Sequence, residues 1–114
     1  MDIHYLESLL DKGVWIGLDR YPGGRTMGTP NWEQRTETAM RLIADGYGEK
    51  IMLGHDWSVT LSIDSKEGQT SRSKYNPDGY LFITRHVLPR LKDLGASEQD
   101  IQNIMVDNPR RFFG

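Results

Sequence analysis

Apolar side chains follow two patterns along this chain: stripes recurring every three or four residues, and two short unbroken runs set among polar segments. The first stripe, Ile3, Leu6, Leu9 and Leu10, predicts a helix over Asp2 to Lys12. Gly13 is placed to stop it, because glycine accepts the left-handed backbone that follows a helix. The run Val14-Trp15-Ile16-Gly17-Leu18 reads as a strand buried on both faces and ends in Asp19-Arg20. Tyr21-Pro22-Gly23-Gly24 breaks it and opens a polar loop to about Thr29. Thr29 and Pro30 fit an N-cap followed by proline at the first helical position. Trp32, Thr36, Ala39, Met40 and Ile43 form the buried face of this second helix, which Gly46 ends. The second run, Lys50-Ile51-Met52-Leu53-Gly54, leads into His55-Asp56. Two strands joined through a helix are expected to be parallel, in a right-handed βαβ unit. Ser58 to Asn76 is long, polar and without period, as functional or disordered loops are. Pro77-Asp78-Gly79 opens a third helix with Tyr80, Ile83, Val87, Leu88, Leu91 and Leu94 on its apolar face and Gly95 as its stop. Pro89 within that stripe predicts a kink or a restart. Ser97-Glu98-Gln99-Asp100 is a capping-box start for a last helix, with Ile101, Ile104 and Met105 inward and Asn108-Pro109 as its end.

The length of 114 residues fits one domain or part of a larger one. It excludes a complete eight-stranded α/β barrel, which needs roughly 250 residues. Zero cysteines exclude a disulfide framework, a zinc–cysteine site and a thiol nucleophile. Fourteen basic against sixteen acidic side chains, with the signs scattered, leave no basic stripe for nucleic acid. No apolar run approaches the ~20 residues that span a bilayer, and the start Met-Asp-Ile-His lacks the features of a signal peptide. The expectation is a soluble, cytoplasmic chain with neither nucleic acid nor membrane as a partner.

Chemistry concentrates where the two runs end. Parallel α/β structures bind ligands at the C-terminal ends of their strands, and Asp19-Arg20 and His55-Asp56 sit there. A carboxylate beside a dry strand end is costly unless it is paired or bound to metal. Asp56 therefore either ligates a metal or does acid–base work, or it caps the next turn or pairs with Arg20; spacing leaves these open. Trp57 either lines a pocket or covers a rim, while Trp15 and Trp32 are core residues. His4 and His86 read as surface. Glu33, Arg35, Glu37 and Arg41 read as a solvated helix face with i,i+4 pairing. Arg110-Arg111 reads as a helix-end and packing feature. Gly23-Gly24 matches no phosphate-loop spacing.

Taken in order, these segments resemble the phosphotriesterase family of metal-dependent amidohydrolases. Gly13-Val14-Trp15-Ile16-Gly17-Leu18-Asp19-Arg20-Tyr21 resembles its seventh strand and exit loop, and Ile51-Met52-Leu53-Gly54-His55-Asp56-Trp57 its eighth strand. Asn76-Pro77-Asp78-Gly79-Tyr80, Val87-Leu88-Pro89-Arg90-Leu91 and Asn108-Pro109-Arg110-Arg111-Phe112-Phe113 resemble its last helices. The resemblance implies an α/β fold: the C-terminal part of a (β/α)8 TIM barrel, strands seven and eight with their flanking helices, as a single partial domain over the whole chain. It implies a binuclear divalent-metal cofactor, with zinc the expected metal. Asp56 resembles the strand-eight aspartate that ligates the buried metal and takes a proton from the bridging hydroxide. Asp19, Arg20, Tyr21 and Trp57 resemble substrate-pocket residues, and Asp19 and Arg20 are not ligands in the family. The Asp19-Arg20-Tyr21 form resembles the lactonase-like branch, so the implied substrates are small lactones or esters, with organophosphates as an alternative, and a homo-oligomer is an open possibility.

The departures are equally informative. The family's His-x-His pair, its bridging carboxylated lysine and its histidines on strands five and six have no counterpart, and Asp2 to Lys12 resembles the helix after strand six. The chain thus resembles the last quarter of a barrel. Two readings follow: a hydrolase of lactonase or aryldialkylphosphatase type in the full-length protein, or a catalytically silent fragment that lacks the other ligands. A small stand-alone α/β binding domain would need about four strands or more.

Overall fold

The chain was analysed as a computed structural model, which describes residues 2–18, 31–54 and 81–114. In order, these hold helix α1 (Ile3–Leu10), strand β1 (Ile16–Leu18), helix α2 (Trp32–Ala44), strand β2 (Ile51–Leu53) and two further helical segments. β1 and β2 pair in parallel, with Ile16 opposite Ile51, Gly17 opposite Met52 and Leu18 opposite Leu53. The described part is therefore mixed α/β with a parallel sheet, as the alternating pattern predicts.

Local chemistry accounts for the helix ends. Asp2 caps α1 by accepting from the Tyr5 N–H at 3.1 Å. α2 starts later than predicted: its N-cap is Asn31, whereas Thr29 and Pro30 lie outside the described residues. Asn31 Oδ1 accepts from the Gln34 N–H at 2.8 Å, and Gln34 Oε1 accepts from the Asn31 N–H at 2.9 Å. This reciprocal box satisfies two otherwise orphaned donors. Gly46, with φ of 97°, and Gly95, with φ of 114°, hold the left-handed conformation expected of helix stops.

The core gathers Leu10, Leu18, Ala39, Leu42, Ile51, Phe82, Ile83, Val87, Leu91 and Ile104. α2 packs against α1 and the third helical segment, and the fourth lies along β2. Leu42, which the stripe reading passed over, is fully buried, while Met40 and Ile43 are half-buried. It lies three residues beyond Ala39 and so belongs to the same face. The expectation that Val14–Leu18 is buried on both faces is corrected: Leu18 is buried and Ile16 half-buried, but Val14 and Gly17 are exposed. Among the described residues no element covers the Gly17 side.

Both later helices accommodate a proline in the same way. The third runs through a wide π-turn, Ile83–Val87, where the Leu88 N–H reaches back to the Ile83 carbonyl, and restarts as α-helix Leu88–Asp93 with Pro89 in its first turn. The fourth comprises α-helix Glu98–Gln102, π-turn Asn103–Asp107 and α-helix Asn108–Phe113. The predicted stop at Asn108-Pro109 is thus corrected, because the helix continues to Phe113. A proline ring clashes with the carbonyl one α-turn earlier and lacks an N–H; a turn widened by one residue relieves both demands. The same widening rotates Met105, expected inward, to an exposed position, while Ile104 stays buried. The predicted capping box of Ser97 and Asp100 is present, with reciprocal bonds of 3.0 and 2.8 Å.

Candidate functional site

The sheet register sets the ends of the two strands level. Leu18 is paired with Leu53, and the Gly54 N–H donates to the Leu18 carbonyl at 3.2 Å. Paired strands lie about 4.8 Å apart. Asp19 is the next residue after Leu18, and His55-Asp56 follow Gly54. The predicted site residues themselves, Asp19, Arg20, Tyr21, Asp56 and Trp57, lie outside the described residues, as does the loop from Ser58 to Asn76. Among the described residues no group of three or more His, Asp or Glu side chains could hold a metal ion. These residues alone do not fit a metal centre. The candidate ligand in this chain is Asp56, whose carboxylate suits a divalent cation but is one of several donors such a site needs.

The opposite end of the sheet is held by side chains. Asn108 is fully buried, and its Nδ2 donates to the carbonyls of Gly48 at 2.7 Å and Ile51 at 2.8 Å. Arg111 donates through Nη2 to the Glu49 carbonyl at 3.0 Å and to Asn108 Oδ1. Trp15 stacks edge-on against Phe112 at 5.7 Å, with the Lys50 ammonium 4.4 Å and the Arg111 guanidinium 5.9 Å from its ring centre. The packing reading of Arg110-Arg111 therefore holds for Arg111. The sequence presents Asn108 as a helix stop, whereas the structure buries it against β2. Its sequence signal is its place four residues after Ile104, on the buried face.

A second polar cluster ties α1 to the end of α2. Tyr47 Oη donates to Asp11 Oδ1 at 2.7 Å, and this bond to a carboxylate pushes the phenol up to about 12. Arg41 Nε donates to Asp45 Oδ2 at 2.8 Å. The Glu7 carboxyl is raised by its hydrogen bond with Asp45, and that bond and the Arg41 guanidinium lower Asp45. The i,i+4 partner of Arg41 is thus Asp45, while Glu37 reaches across to Arg90 on the third helix at 3.5 Å. His4 and His86 are exposed, as expected, although the His86 ring lies 4.7 Å from that of Phe82. Trp32 is half-buried and meets Phe82 edge-on at 5.7 Å.

Residues 1–113 match the sequence model of the Phosphotriesterase family. An aryldialkylphosphatase of Saccharolobus solfataricus is 37% identical over 98% of this chain, which corresponds to 35% of that protein. An N-acetyltaurine hydrolase of Dictyostelium discoideum is 38% identical over 83% of this chain and 23% of its own length. A phosphotriesterase homology protein of Mycobacterium tuberculosis is 30% identical over 98% of this chain and 33% of its own length. The chain spans about a third or less of the length of these relatives.

Proposed function

This chain belongs to the phosphotriesterase family, and on that footing we propose that β1 and β2 are strands seven and eight of a (β/α)8 barrel whose complete form is a metal-dependent hydrolase. The observation that carries the reading is the level, parallel pairing of β1 and β2, with Asp19 next in sequence after β1 and Asp56 three residues after β2. In the complete site a divalent metal, zinc by preference, would make a bound water acidic enough to attack at neutral pH. Asp56 would be one ligand of that site and would hold the proton released at its carboxylate. Asp19, Arg20, Tyr21 and Trp57 would shape the pocket. The substrates proposed are small lactones or esters, with phosphotriesters as the alternative. The relatives' names, an aryldialkylphosphatase and an N-acetyltaurine hydrolase, support a site that accepts both phosphoryl and acyl centres. The test is Asp56→Ala in the protein as its gene encodes it. Turnover and bound metal should both fall by at least about tenfold; full metal-dependent activity in the variant would overturn the assignment.

A second reading is a catalytically silent fragment, since the chain spans about a third or less of the length of these relatives. The two are separated by reading the gene upstream of Met1. An in-frame His-x-His strand, a lysine and two histidines support the enzyme, and their absence supports the fragment.

A further inference from the structure

Helix α1 meets the end of α2 through polar side chains as well as apolar ones. Glu7 and Asp11 stand four residues apart, as do Arg41 and Asp45, so each pair shares one helical face. α1 packs against α2, and two bonds fix which groups meet. The Tyr47 hydroxyl donates to Asp11 Oδ1 at 2.7 Å, and Arg41 Nε donates to Asp45 Oδ2 at 2.8 Å. Glu7 is left over. Its Oε1 is buried, and no donor reaches it among the described residues. A buried carboxylate oxygen without a donor is costly, and the Asp45 carboxylate faces it. One proton removes both costs. A protonated Glu7 donates to Asp45, whose charge the Arg41 guanidinium already balances, as carboxyl groups held close together share a proton. The two carboxyls are displaced in the matching directions: their mutual hydrogen bond raises Glu7 and lowers Asp45.

We propose that Glu7 and Asp45 form a pH-sensitive latch, in which one shared proton holds α1 against α2 and the loss of that proton to water releases the helix. Glu7 is faced by Asp45 and Arg41 from α2 and by His4 on its own helix, and Asp11 and Tyr47 complete the cluster. The sign follows from linkage. The latched helix binds the Glu7 proton more tightly than the released one does, so the latch is complete below the ordinary Glu7 value of 4.5 and is lost as pH rises through the raised value. Asp45 sets the acid limit, because it must stay ionised to accept, and its lowered value keeps it so. Once the proton is gone, two carboxylates repel each other across the contact. Ile3 and Leu6, which pack against the core from α1, are then held by apolar contact alone. The Tyr47 phenol, pushed up to about 12, keeps its proton throughout this range. The Asp11 end of α1 therefore stays tied, and the release is a hinge about that end.

The experiment follows amide hydrogen exchange from about pH 4.5 to about pH 8 in the protein as its gene encodes it, expressed as protection factors so that the intrinsic pH dependence of exchange drops out. Protection in α1 should fall as pH rises, by up to about tenfold per pH unit across the transition, the limit for one proton. The amides of Leu42 and Leu91 in the core should hold their protection. Glu7→Gln, whose carboxamide donates to Asp45 at every pH, should keep α1 protected and level across the range. Asp45→Asn, whose carboxamide donates to the Glu7 carboxylate, should also remove the dependence and serves if Glu7→Gln fails to fold. In the unsubstituted protein the Glu7 carboxyl carbon, followed by NMR, should titrate above 4.5. A Glu7 midpoint at or below that value, or α1 protection that does not change with pH, would overturn the proposal. So would a Glu7→Gln helix that loosens as the parent does, or an equal loss of protection in α1 and the core, which would make the effect one of global stability.

Discussion

At the scale of single residues, burial and charge decide which side chains matter. Leu42 has no exposed surface and belongs to the buried core. Leu42→Ala should cost about 2–5 kcal/mol, because the lost transfer energy adds to that of an unfilled cavity; urea denaturation gives the difference directly. Tyr47 makes a prediction in pH. Its phenol ionises near 10.0 when free of Asp11 and is pushed up to about 12 by that carboxylate. The folded state therefore keeps a proton that the unfolded chain gives up. The stability so gained is complete below pH 10 and is lost as pH rises from about 10 to about 12. Tyr47→Phe should flatten this decline, which the denaturation midpoint followed between pH 9 and 12 would show. An equal decline in the variant would place its cause elsewhere. The bond itself was not legible in the sequence, since 36 residues separate its partners.

At the scale of elements, caps and turns were legible wherever their chemistry is local. Ser97 and Asp100 stand three residues apart, and their reciprocal bonds follow from that spacing alone. For α2, Thr29-Pro30 and Asn31 both have the chemistry of a helix start. The reciprocal bonding of Asn31 with Gln34 decides between them. Asn31→Ala should destabilise α2 by about 1 kcal/mol and loosen the amides of its first turn, as hydrogen exchange would show. The two π-turns were not legible. A proline in a stripe says that the α pattern must yield, but whether the helix kinks, stops or widens depends on what the next turn can bury. Here Leu91 after Pro89 and the Asn108 carboxamide before Pro109 favour continuation.

For the whole molecule, the unpaired surfaces carry the main consequence. Among the described residues each strand has one neighbour, so each leaves an outer edge open. Val14, Phe112 and Phe113 add exposed apolar area at the clamped end of the sheet. Open edges and exposed aromatics favour association. The 114-residue chain in isolation should therefore sediment as concentration-dependent oligomers, and a monodisperse monomer across a hundredfold range of concentration would contradict this. Among the described residues no helix is long and apolar enough to cross a membrane.

The sequence alone determined the order of elements, the parallel run of the two strands, most of the apolar faces and the family, because each rests on periodicity or on short-range chemistry between near neighbours. It also marked Asp56 as the residue on which the proposed chemistry turns. Tertiary structure decided what depends on residues far apart in the chain. It placed Asn108 on carbonyls 57 and 60 residues away, turned Glu37 to Arg90 and left Gly17 uncovered. A polar residue at a helix break reads from sequence as a stop. Burial changes that meaning, because buried carbonyls must be paired and the nearest donor able to reach them lies on another element.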